Sequence, residues 1–116
     1  MKTMTQLQEV TTEQQWKHIL EESKQKPLLI FKHSTTCPIS ANAYDEFTSF
    51  QTDLPKYYLK VRESRPVSNM IEADLGVTHQ SPQIFIVQFG KSVWTTSHRN
   101  ITEAAIEKAV SESTNE

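Results

Sequence analysis

Apolar residues recur along the chain with two different periods. Trp16, Ile19 and Leu20 stand at i, i+3 and i+4, the spacing of one helix face, and predict a helix from about Glu13 to Gln25. Leu28, Leu29, Ile30 and Phe31 form an unbroken apolar run behind Pro27. Such a run suits a strand buried on both faces, as at the centre of an α/β sheet. Ile39, Ala43, Phe47 and Phe50 return to helical spacing, and Met70, Ile71 and Leu75 do so again. Leu7 to Val10, Tyr57 to Val61, Ile84 to Val87 and Ser92 to Thr96 read as short strands.

Boundary residues sharpen these elements. Thr11 with Gln14, or Thr12 with Gln15, has capping-box spacing for the first helix. After the polar loop Ser34-Thr35-Thr36, Pro38 suits the first turn of a second helix running to about Phe50. Ser64-Arg65-Pro66 opens a third, and Gly76 stands where a helix end favours a left-handed residue. Phe89-Gly90 turns between the last two strands. Asn100 or Thr102 caps a last helix to about Val110, and the tail SESTNE is expected to fray. The order β-α-β-α-β-α-β-β-α predicts a single α/β domain over residues 1–116, with no repeats or linkers.

The composition, 36% hydrophobic and 22% charged, is that of an ordinary globular protein. The net charge of -2 lacks the basic footprint of a nucleic-acid binder and offers no attraction to an anionic membrane. The start MKTMTQLQEV has no apolar core for a signal peptide, and no stretch nears the roughly 18 apolar residues of a spanning helix. A cytoplasmic protein with neither nucleic acid nor membrane as partner is expected. Cys37 is the only cysteine, so no internal disulfide can form. In a reducing compartment a lone thiol is either a small buried apolar residue or a reactive group.

The polar neighbours Ser34, Thr35, Thr36 and Ser40 favour the reactive thiol. Its nucleophilic form is the thiolate, and a free cysteine, with a pKa of about 8.5, is mostly protonated at neutral pH. Cys37 stands where the second helix begins, and the open N–H groups and dipole of a helix N-terminus favour an anion. Pro38 preorganises the turn. Ser40, three residues on, can donate its hydroxyl toward the sulfur; otherwise it is a first-turn helix residue. His33 would favour the thiolate as a nearby imidazolium; otherwise it is a histidine at a strand end. Ser81-Pro82 directly precedes a strand. A proline there can be cis, and the backbone before it can pair with an extended ligand.

The element order, the motif Cys37-Pro38-Ile39-Ser40 after the strand LLIFKH, and Pro82 before IFIV resemble the thioredoxin fold across nearly the whole chain. The longer string FKHSTTCPISANAY, with TCPIS at its centre, resembles the monothiol bacilliredoxins. These are small thioredoxin-like proteins of bacteria that use bacillithiol in place of glutathione. The resemblance implies a central mixed sheet flanked by helices and an enzyme that removes bacillithiol from S-bacillithiolated client proteins. Cys37 would be catalytic, supported by Thr36, Pro38, Ile39 and Ser40, with Ser81 and Pro82 binding substrate. Its thiolate attacks the bacillithiol sulfur, the client leaves as a thiol, and Cys37 carries bacillithiol. Ser40 cannot resolve that adduct, so a second thiol must come from outside, either free bacillithiol or another reductase. No bound cofactor is expected; bacillithiol serves as reductant and co-substrate.

Other readings remain at this point. His18, His79 and His98 lack metal-ligand spacing to one another or to Cys37. Some monothiol glutaredoxins share an iron–sulfur cluster between two chains, but their motif has glycine where this chain has Pro38. Arg99 and Asn100 precede the last helix, where glutaredoxins bind the carboxylates of their small thiol. A one-cysteine peroxidase pattern, P-x-x-x-[TS]-x-x-C, finds Ser34 at the right offset but Ile30 at its proline position. A non-catalytic thioredoxin-fold binding module would have no need of its thiol.

Overall fold

The computed structural model describes residues 7–114. Its elements are β1 (Leu7–Glu9), α1 (Glu13–Glu22), β2 (Leu28–His33), α2 (Pro38–Ser49), β3 (Lys56–Lys60), α3 (Arg65–Leu75), β4 (Gln83–Gln88), β5 (Lys91–Ser97), a 3-10 turn (His98–Asn100) and α4 (Glu103–Thr114). The strands form one sheet in the order β1-β3-β2-β4-β5. β1, β3 and β2 run parallel; β4 is antiparallel to β2, and β5 to β4. This is an α/β fold with a mixed central sheet.

Alternation along the two central strands divides the core. Leu28, Ile30, Phe85 and Val87 face one way and pack with Trp16, Ile19, Val67 and Ile71 of α1 and α3. Leu29, Phe31, Ile84 and Ile86 face the other and pack with Ala43, Phe47, Ile106 and Ala109 of α2 and α4. The unbroken apolar run at Leu28 is thus a strand covered by helices on both sides.

Several boundaries differ from the pattern-based expectation. β2 is not among them: it spans LLIFKH as expected, with Lys32 and His33 still pairing with Leu59 and Lys60 of β3. α1 stops at Glu22 and not Gln25. Ser23, fully buried, accepts the Phe89 N–H at its carbonyl and the Gly90 N–H at its hydroxyl, so the β4–β5 turn draws the chain out of the helix. Of the two capping choices, Thr12 with Gln15 forms the box. Thr102, whose hydroxyl accepts the Ala105 N–H, caps α4, while Asn100 belongs to the 3-10 turn. α4 carries on to Thr114, so part of the tail expected to fray is helical; residues 115 and 116 lie outside the described residues. The inward line of α2 is Ser40, Ala43 and Phe47, at i, i+3 and i+7. Ile39 is off that line and half-buried, and Phe50 lies one residue past the helix.

Candidate active site

Cys37 is the N-cap residue of α2, with Pro38 in the first helical position. Its φ of -108° and ψ of 122° are extended, and its backbone closes both sides of the turn. The Cys37 N–H donates to the Ser34 carbonyl at 3.2 Å, and its own carbonyl accepts the Ala41 N–H at 3.0 Å. A cap side chain faces the open N–H groups of the first turn. Here that side chain is a half-exposed thiol with no capping bond. The sulfur therefore sits where an anion would gain the helix N-terminus and a partner could still reach it. Thr36, the residue before it, is exposed.

Ser40 departs from expectation. It is fully buried, and its hydroxyl oxygen accepts the Ser34 N–H at 2.8 Å and meets His33 Nδ1 at 2.8 Å. Burial, then the charge of Lys60, lowers the His33 pKa below the ordinary value, against a smaller pull from Glu63. A neutral ring with Nδ1 unprotonated accepts a hydrogen bond from the serine hydroxyl. The hydroxyl is thus committed to His33 and not to the Cys37 sulfur, and His33 is no imidazolium beside the thiol at neutral pH. His33 also stacks on Tyr44, with centroids 4.6 Å apart. Ser40 ties the exit of β2 to the first turn of α2, which fixes the loop carrying Thr35 and Thr36.

Ser81-Pro82 lies at the same end of the sheet. Lys32 pairs with Gln83, so Pro82 is one step further along the ladder, level with His33. The Ser81–Pro82 peptide bond is cis. The Pro82 carbonyl accepts the His98 N–H at 3.0 Å, which joins the 3-10 turn to this corner. The Ser81 hydroxyl is buried and has no hydrogen-bond partner among the described residues. Between α2 and the 3-10 turn runs a groove of about 380 Å³ whose lining includes Ile39, Asn42, Asp45, Glu46, His98 and Arg99. The fold thus gathers Cys37, Pro38 and Ser40 on one helix turn, brings Ser81 and Pro82 to the same sheet end, and turns Ile39 and Arg99 toward a common groove. Asn100 is absent from that lining.

Two buried lysines escape a pattern reading. Lys32 is fully buried at the end of β2, and Lys56 is nearly so at the start of β3. The only signal for Lys32 was its place directly after an apolar run with no turn residue between, and Lys56, directly after Pro55, had not even that. Trp16 is core, with its indole N–H donated to Asp74 at 2.8 Å. Among the described residues no group of three or more His, Cys, Asp or Glu side chains is placed to hold a metal ion, and no helix is long and apolar enough to cross a membrane.

Residues 8–106 match the family described as monothiol bacilliredoxin BrxC. The chain belongs to the monothiol bacilliredoxins. A solved structure described as a candidate oxidoreductase with a thioredoxin fold is 36% identical, covers 90% of this chain and 93% of its own, and superposes with a TM-score of 0.81. Thioredoxin from Malassezia sympodialis (14% identity, 94% and 91% covered, TM-score 0.76) and from Schistosoma mansoni (15%, 94% and 99%, 0.76) share the fold. This bacilliredoxin is accordingly a thiol oxidoreductase on a thioredoxin fold, and Cys37 is its only thiol.

Proposed function

We propose that this chain acts in the cytoplasm and removes bacillithiol from S-bacillithiolated client proteins through a mixed disulfide on Cys37. The observation that carries the reading is the sole thiol at the N-cap of α2, half-exposed and at the same end of the sheet as the Ser81-Pro82 corner. In the first step the Cys37 thiolate attacks the bacillithiol sulfur, and the client sulfur leaves with the bonding pair and takes a proton from water. Cys37 then holds bacillithiol. A second thiolate, from free bacillithiol or a reductase, attacks the same bacillithiol sulfur; a new disulfide forms and Cys37 leaves as thiolate. With one cysteine the chain has no internal path for this second step.

Thr36, Pro38, Ile39 and Ser40 shape the turn that holds the sulfur. The backbone before Pro82 offers an edge for an extended client segment, the strand-addition mode of peptide binding. In the groove beside Ile39, Arg99 offers a cation to an acidic small thiol, opposed by the carboxylates of Asp45 and Glu46.

Mixing the reduced protein with bacillithiol disulfide is expected to give, by intact mass, one bacillithiol per chain, and Cys37→Ala none. Residual de-bacillithiolation by Cys37→Ala above the uncatalysed rate would overturn the mechanism. Iodoacetamide separates the other classes. Rapid alkylation of Cys37 at neutral pH is expected of the enzyme, slow alkylation of a binding module. Peroxide turnover without bacillithiol transfer would point to a peroxidase.

A further inference from the structure

Beneath the chain leading into Ser81-Pro82 lies a buried polar cluster that the thiol chemistry does not use. At its centre Lys32 Nζ donates to the Ser68 carbonyl of α3 at 3.2 Å and contacts His79 Nδ1 at 3.1 Å. For that contact the His79 ring must be neutral, with its proton on Nε2. The His79 backbone N–H donates to Glu72 at 3.0 Å. Gln83 lies beside Lys32 across the ladder and so faces the same side of the sheet. Its side-chain amide donates to the Thr78 carbonyl at 3.2 Å, and its oxygen accepts the Gln80 N–H at 3.1 Å. Residues 78, 79 and 80 are thus each held from below by β2, α3 or β4. The Ser81 hydroxyl adds no anchor of its own.

Stability alone does not account for Lys32. Taking an ammonium out of water costs several kcal/mol, and well-packed apolar replacements of buried charges are often neutral or stabilising. Burial lowers the Lys32 pKa from 10.5 to about 8, against a smaller opposing pull from Glu72. What the lysine does secure is the position of the segment ending at Ser81.

We propose that Lys32 and His79 are positioning residues for the client: their contact holds residue 79, between the Gln83 anchors at 78 and 80, and so helps aim the Ser81 backbone at the extended polypeptide that carries the mixed disulfide. This rests on the reading of Ser81 and Pro82 as the docking edge. It separates the client, which needs that edge, from small thiol reagents, which do not.

The test compares wild type with Lys32→Met, His79→Leu and His79→Asn, the last retaining an acceptor. The readouts are melting temperature, iodoacetamide alkylation, transfer from a bacillithiolated peptide, and amide hydrogen exchange across residues 78–82. Lys32→Met and His79→Leu are expected to raise KM for the peptide about fivefold or more with kcat nearly unchanged, the loss of uniform binding worth a hydrogen bond or more. Alkylation should stay within about twofold of wild type, because that reagent reads only the thiol. Exchange at 78–82 should quicken roughly tenfold as the segment opens locally. Lys32→Met should not melt lower, and His79→Asn should recover most of the KM. Unchanged exchange and KM in both disrupting variants would overturn the proposal. If Lys32→Met fails to fold, His79→Leu decides by the same readouts. A wild type that transfers no bacillithiol sinks the function reading and the docking role with it, whereas an active wild type with indifferent variants sinks only the positioning role.

Discussion

Ser40 does two things that a pattern reading separates. It stands where a dithiol enzyme would carry its resolving cysteine, and it is a buried latch between Ser34 and His33. A thiol is a weaker donor and acceptor than a hydroxyl. Ser40→Cys is therefore expected to lower stability by about 1 kcal/mol, the net worth of a typical hydrogen bond, in urea denaturation. It should also change the cycle. The introduced thiol, on the same first turn as Cys37, would attack the Cys37 sulfur and expel bacillithiol, leaving a protein two hydrogens lighter with no adduct. An adduct that persists as long as in wild type would mean that position 40 does not reach the sulfur.

The helix that carries Cys37 is held at both ends, and the far end is the less obvious. Lys56 reaches from β3 to the last turn of α2. Its ammonium donates to the Phe50 carbonyl at 2.6 Å, to Phe47 at 2.9 Å and to Thr48 at 3.4 Å. These are carbonyls that a helix C-terminus leaves without partners, and the cation also opposes the negative end of the dipole. Nζ lies 5.1 Å from the Phe47 ring centroid. Burial lowers the Lys56 pKa, partly offset by Glu103, so this cation too resists desolvation. The balance differs from that at Lys32, which donates to one carbonyl and one ring nitrogen. Removing Lys56 would strand several acceptors at about 1–3 kcal/mol for each buried group left unsatisfied. Lys56→Met is accordingly expected to lower the melting temperature by several degrees, while Lys32→Met does not. A melting temperature for Lys56→Met at or above that of wild type would refute the capping role.

Over the whole molecule two half-buried histidines shape how stability answers to acid. His33 and His79 both have lowered pKa values, first through burial and then through a neighbouring lysine, Lys60 for one and Lys32 for the other. The unfolded chain takes up these protons near 6.5, the native state only at lower pH. Between those points the unfolded state holds more protons, so stability falls as pH drops through and below 6.5. The urea midpoint is expected to decline between about pH 7 and pH 5.5, before most carboxylates titrate. The decline should be shallower in His79→Asn, which cannot take up that proton. Identical slopes for the two proteins would show that His79 is not among the groups responsible.

The apolar patterning by itself determined the order of elements and the burial of β2, because a strand covered on both faces must be apolar at every position and a helix only on one stripe. It also determined where the thiol would stand, since Cys37 and Pro38 are chain neighbours and the start of a helix is a local event. What tertiary structure decided are relations between residues far apart in sequence. Lys32 and His79 meet across 47 positions, and His79 had looked merely scattered. The hydroxyl of Ser40 goes to His33 because β2 runs two residues past its apolar stretch and brings the ring within 2.8 Å. No local signal distinguishes a lysine in solvent from one whose ammonium finds carbonyls inside the fold. That choice is made by what packs around it, and here the packing turns Lys56 into a helix cap and Lys32 into the anchor of a neighbouring segment.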